Sequence, residues 1–268
     1  RPGQHLSGGW NYMIDVAGEA SLRRWYDTIG KNGWRLEEFH HYYGNATFDD
    51  GGTAEATRFL VRLYLERRDA KYRDAVERAL QFVLSSQHES GCWPQRYPMT
   101  EEHRRGLPEF PAYLTFNDDV AAENIDVLLT YTVGLGDERA AARVRGGMDC
   151  FLLLQLPPPP AGWGLEYGAA LHPAAARSYE PVGLSTKTTE HNVAELLNFY
   201  ALTGERTYLE PIPAALAWLE SVRMKAGSGE HDGYPALVAI GTNRPRFVHR
   251  RGSNVTNGAY FFDEDPRK

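Results

Sequence analysis

The feature that most constrains this chain is a helical-hairpin pattern that returns three times. Trp93, Trp163 and Tyr234 stand 70 and 71 residues apart, each within two residues of a glycine and each behind a pair of stretches with apolar residues at helical spacing. The first pair predicts helices over 53–67, with Phe59, Leu60, Leu63 and Tyr64 on a face, and over 71–86, with Leu80, Phe82 and Val83. The second predicts 118–133 and 139–155, the latter carrying Met148, Phe151 and Leu152 and ending at the prolines of 157–160. The third predicts 188–202 and 207–223, with Leu216, Trp218 and Leu219. Hairpins at one period bury their faces on one another. The expected fold is all-α, about three helical hairpins in a single domain, 1–268: closed in a ring they make an α/α toroid, the reading the long connections favour, and left open a solenoid. The connections 88–117, 156–187 and 224–268 are long enough to be functional loops gathered at one end of a ring. The chain before residue 50, with Gly8-Gly9-Trp10 and the aromatic run from Trp34 to Tyr43, fits this pattern less well.

Composition narrows the function. A net charge of −6 over 268 residues makes nucleic acid an unsuitable partner, and 42% hydrophobic with 12% aromatic residues supports a packed core. No apolar run approaches the ~18 residues of a membrane span, so no membrane partner is expected. The chain opens on Arg1, so the lack of a leader decides nothing. Two cysteines, Cys92 and Cys150, exclude a thiolate metal cluster but allow one disulfide bridge. A monomer is the default expectation.

The polar constellations lie between the hairpins. Thr115-Phe116-Asn117-Asp118-Asp119 precedes the second hairpin. Its oxygens suit a hard cation such as Ca²⁺, or they cap the helix. Asp49-Asp50, before Gly51-Gly52, holds the matching place ahead of the first hairpin and has the same two readings. Four arginines fall within the eight residues 244–251: Arg244, Arg246, Arg250 and Arg251. Guanidinium forks pair with carboxylates, so this is either a grip on an acidic sugar or a solvated segment. Trp93, Tyr97, Trp163 and Tyr234 could stack on sugar rings or wedge helices together. Asn45-Ala46-Thr47 and Asn254-Val255-Thr256 are glycosylation sequons, a pattern common by chance, and His40-His41 reads as a surface or packing pair.

Gly91-Cys92-Trp93-Pro94-Gln95-Arg96-Tyr97-Pro98 followed by Leu114-Thr115-Phe116-Asn117-Asp118-Asp119 resembles the signature of family 10 polysaccharide lyases, the pectate lyases. Thr47-Phe48-Asp49-Asp50-Gly51, Ala176-Arg177-Ser178-Tyr179-Glu180-Pro181 and Ile240-Gly241-Thr242-Asn243-Arg244-Pro245 follow in the family's order. The family has a Gly in place of Cys92 and a shorter insert than Met99–Tyr113. Its second substrate arginine has no counterpart in Ala236-Leu237-Val238-Ala239.

The resemblance implies Ca²⁺-dependent β-elimination of polygalacturonate, an acidic polysaccharide, by a secreted or periplasmic enzyme. It implies Arg250 as the catalytic base and Asp118 with Asp119 as metal ligands. Asp49, Arg177, Asn243, Arg244 and Arg251 are implied as substrate-binding residues. Two alternatives stay open. One is a lyase or hydrolase on another acidic polysaccharide, with Asp49 and Asp118 as a possible carboxylate pair. The other is a domain that binds acidic glycan without turnover.

Overall fold

The computed structural model describes residues 3–30, 37–225, 233–253 and 258–265. It divides into two compact units, Arg1–Asp149 and Cys150–Lys268.

In the first unit, α1 (Glu19–Trp25) runs into a π-helical turn, Tyr26–Gly30, in the stretch that the repeat pattern leaves unplaced. Strand β1 (Ala46–Thr47) then leads into α2 (Gly52–Arg67), and α3 (Arg73–Ser86) packs back on α2. Strand β2 (Arg96–Tyr97) closes this module by pairing antiparallel with β1, Ala46 opposite Tyr97 and Thr47 opposite Arg96. The insert carries the short helix α4 (Glu101–Arg104), after which β3 (Leu114–Thr115) opens the second module. Helix α5 (Val120–Leu135) packs on α2 and α3 and ends at Gly136, whose φ of 66° is the left-handed conformation glycine adopts freely. Helix α6 (Glu138–Leu154) follows after a two-residue turn.

The helical predictions hold to within a few residues, but two faces differ. Helix α2 buries Thr53, Ala54, Thr57 and Val61, while Phe59 is 68% exposed. The buried stripe is small and partly polar, so large apolar residues are a poor guide to it. Helix α3 follows its pattern, burying Val76, Ala79, Leu80, Phe82 and Val83.

In the second unit, β4 (Glu166–Tyr167) pairs with β5 (Pro173–Ala174). Strand β6 (Leu184–Ser185) then enters α7 (Thr186–Thr203), where the Ser185 hydroxyl accepts from the Thr188 N–H as an N-cap. Helix α8 (Ile212–Val222) packs on α7 and buries Trp218 and Leu219, while Leu216 faces out. Leu184, Trp218, Leu219, Val222 and Val238 form one apolar cluster. Among the described residues, the long connection expected at 224–268 contains three strands. Strand β7 (Leu237–Val238) pairs with both β6 and β8 (Pro245–Arg251), and β8 forms a hairpin with β9 (Ala259–Asp263).

Trp93 and Trp163 are wedges, not sugar platforms. Both are fully buried, and their indole N–H groups donate to Val83 and Phe151 carbonyls on the preceding helix at 2.9 and 2.8 Å. Tyr234 is half exposed. Asn45 is buried and donates to the Pro98 carbonyl, so it cannot serve as a glycan acceptor. Asn254 lies outside the described residues. His40 and His41 pack edge to face. Both cysteines are buried and disulfide-bonded. Among the described residues, no helix is long and apolar enough to cross a membrane.

Candidate active site

In the first unit the acidic motifs before α2 and α5 adopt one backbone shape. Each follows a short strand, and each has a buried phenylalanine, Phe48 or Phe116. In each the threonine hydroxyl accepts from an N–H two residues on: Thr47 from Asp49 at 3.1 Å and Thr115 from Asn117 at 2.9 Å. Two successive left-handed residues follow. They are Asp50 (φ 49°, ψ 31°) with Gly51 (φ 67°, ψ 6°), and Asp118 (φ 49°, ψ 33°) with Asp119 (φ 56°, ψ 22°). Left-handed backbone costs a residue with a Cβ about 1 kcal/mol or more, and it persists where surroundings or function demand it. The two turns pack against each other.

Asp119 occupies the N-cap position of α5 but makes no side-chain capping hydrogen bond, so the capping reading does not describe it. Asn117 donates to Asp118 at 2.7 Å. Asp49 is buried. Glu123, one turn into α5, was not singled out from the sequence. Its signal was there: it stands four residues after Asp119, as Glu55 stands four after Gly51. Its Oε2 is buried without a hydrogen-bond partner, and Arg58 lies 3.5 Å from its Oε1. Burial raises the Glu123 carboxyl above its ordinary range, Arg58 opposes the rise, and Glu55 and Asp119 add to it.

These carboxylates are hard oxygen donors of the kind Ca²⁺ takes, and the orphaned Glu123 oxygen fits a cation. The set is incomplete by itself. Among the described residues, no three His, Cys, Asp or Glu side chains are grouped closely enough to hold a metal ion.

In the second unit Arg177 is nearly buried. Its Nε and backbone N–H both donate to Glu180 Oε2, at 2.9 and 3.1 Å, within a loop closed by Glu180 N–H to Arg177 carbonyl. Tyr179, beneath the Arg177 guanidinium, meets Tyr260 edge to face at 5.1 Å. Tyr260 is the cross-strand neighbour of Arg250. Arg250 is exposed on β8 and has no ion-pair partner among the described residues. Arg251 packs its guanidinium 4.3 Å from the Phe261 ring centre. Arg244 pairs with Glu264 at 3.2 Å on the wall of a cavity of about 410 Å³ that Arg246, Phe262 and Asp263 also line. Asn243 is left-handed (φ 54°), and its side-chain oxygen accepts from Trp218, so its first task is to hold the turn. Residue His249 is buried against Asp263 at 3.1 Å. The arrangement thus brings Asp49, Asp118 and Asp119 onto two adjoining turns in one unit. In the other, it links the Arg177 loop to the Arg250 strand through two tyrosines.

The model of the pectic acid lyase family matches residues 4–239. Among solved structures, the family 10 polysaccharide lyase from Cellvibrio cellulosa is similar at 22% identity with a TM-score of 0.67, over 91% of this chain and 76% of that one. A mutant of that enzyme in complex with trigalacturonic acid is similar at 21% identity with a TM-score of 0.64, over 91% of this chain and 77% of the other. No curated protein matches the chain. The structural likeness shows the fold, that of an α/α-toroid lyase. With the family model running through both acidic turns and the Arg177 loop, the chain belongs to the pectic acid lyase family and is a polysaccharide lyase.

Proposed function

We propose that the enzyme cleaves polygalacturonate by calcium-dependent β-elimination. The observation that carries this reading is the matched pair of acidic turns, with left-handed aspartates held at the heads of α2 and α5. The trigalacturonic acid bound by the Cellvibrio cellulosa mutant supports a uronate polymer as substrate.

In the reaction the C5–H bond of a galacturonate breaks, and its electron pair forms a C4=C5 double bond. The C4–O bond breaks with its electrons on the departing oxygen, which takes up a proton. No water is added and nothing is oxidised. Asp118, Asp119 and Glu123 are the residues we assign to hold Ca²⁺. Calcium bound there would neutralise the uronate carboxylate and acidify C5–H. Since Ca²⁺ takes about six to eight oxygens, substrate carboxylates and water would complete its shell. Asp49 lies in the same pair of turns and is assigned to the substrate.

Arg177, held by Glu180, is assigned to a uronate carboxylate. Arg244 and Arg251 are assigned to uronate carboxylates, and Asn243 offers its amide N–H groups from the neighbouring turn. Arg250 is assigned the C5 proton. The family model runs across both compact units, which supports reading them as one catalytic domain. Two buried, disulfide-bonded cysteines support a secreted or periplasmic location, where disulfides persist.

The test is ultraviolet absorbance on polygalacturonate, with added Ca²⁺ and again with a chelator. Absorbance from the new conjugated double bond should rise with Ca²⁺ and stop with chelator. New reducing ends without absorbance would overturn the elimination, and a rise indifferent to chelator would overturn the calcium requirement.

A further inference from the structure

The N-terminal segment, which the repeat pattern leaves unplaced, delivers a side chain to the first acidic turn. Trp10 is fastened to that turn from both sides: its carbonyl accepts from Thr47 N–H at 2.8 Å, and its N–H donates to the Thr53 hydroxyl at 3.0 Å. Two residues on, the Tyr12 hydroxyl donates to Asp49 Oδ2 at 2.5 Å. That length is typical of a charge-assisted O–H donor to a carboxylate. Asp49 itself is only 1% exposed.

Behind the Tyr12 ring lies a buried cation. The Arg96 guanidinium is 5.2 Å from the Tyr12 ring centre and 5.4 Å from that of Tyr43. It is 1% exposed, and among the described residues no carboxylate pairs with it. A buried charge without a counterion is costly. Here the cost is offset by two aromatic faces and by two amide oxygens, Asn45 Oδ1 at 3.2 Å and Asn11 Oδ1 at 3.1 Å. The tyrosine therefore stands between a buried cation on its ring and a buried carboxylate on its hydroxyl. A cation over the ring withdraws electron density from the phenol and makes its O–H a stronger donor. Phe39 packs edge-on against the Tyr12 ring at 5.0 Å.

We infer that Tyr12 is a positioning residue, which fixes the Asp49 carboxylate in a single orientation with Arg96 as its backing charge. The inference rests on the placement of Asp49 in the active site. It gives the N-terminal segment a part in turnover that packing alone would not.

The experiment compares Tyr12→Phe with Tyr26→Phe. The Tyr26 ring lies in the same aromatic cluster, but its hydroxyl donates to Asn11 at 3.3 Å. Both variants keep the ring. On polygalacturonate with Ca²⁺, Tyr12→Phe should lose at least tenfold in kcat, with KM and melting temperature near the wild-type values, and Tyr26→Phe should stay within twofold. A crystal structure of Tyr12→Phe should show the Asp49 carboxylate rotated. Wild-type turnover retained by Tyr12→Phe overturns the inference, as does equal loss in both variants. Should the wild type leave polygalacturonate uncut, the proposed function fails separately. The crystal structure still decides the inference, because an Asp49 carboxylate unmoved in Tyr12→Phe overturns it.

Discussion

Asp118 is the residue on which the proposed calcium site depends most. It stands in a strained turn before a helix, its carboxylate already engaged by Asn117. Asp118→Ala should lower turnover by about a hundredfold, the scale of losing one preorganised electrostatic contact, and should raise the Ca²⁺ concentration needed for half-maximal rate. Steady-state kinetics across a calcium series checks this. Gly91 makes a different claim, about packing. Its φ is 90°, and a Cβ there would collide with the Gly146 carbonyl. Gly91→Ala should cost about 1–3 kcal/mol, read as a lower denaturation midpoint with the activity of the folded fraction unchanged. At this scale Asp118, Asp119 and Arg177 could be named as candidates from the sequence because they sit in compact motifs. Tyr12 was not singled out because it acts on Asp49 across a distance in sequence that only the folded chain closes, while Glu123 and Glu180 carry a local signal, four residues after Asp119 and three after Arg177.

The two acidic turns are one structural element used twice, with one telling difference. The second left-handed position is Gly51 in the first turn and Asp119 in the second. Glycine adopts that backbone freely, while aspartate is held there at a cost. Asp119→Gly should therefore stabilise the protein by about 1 kcal/mol and yet reduce turnover. Thermal melting paired with kinetics checks both signs, and a variant both more stable and fully active would show that the aspartate has no part in the reaction. Helices were legible as elements because their spacing and breaks are local signals. Their faces were less so: Phe59 and Leu216 look like core residues yet point outward, while Thr53 and Thr57 are buried. The β8–β9 hairpin was missed for a similar reason. Its strands are rich in arginine and aromatics, and the pattern read as a basic loop.

For the whole molecule, charge and covalent state set the conditions of stability. The carboxyl of Glu123 is raised by burial, so the folded protein holds its proton to higher pH than the unfolded chain. With chelator present, stability should fall as pH climbs from the ordinary carboxyl range through that raised value, because the unfolded state then binds fewer protons. Glu123→Gln should remove that fall, as melting curves across pH would show. Reducing the disulfide should lower the melting temperature, with a cost of about 2–5 kcal/mol. The repeat of hairpins was readable from three aromatic residues at one period. How each unit arranges its polar loops was not, since that depends on contacts between residues far apart in sequence.

The central claim is elimination, and product mass tests it most directly. After digestion of polygalacturonate with Ca²⁺, mass spectrometry should find oligogalacturonides whose new non-reducing ends are lighter by one water than hydrolysis would leave. Products carrying the full mass of a hydrolysed chain would contradict the account.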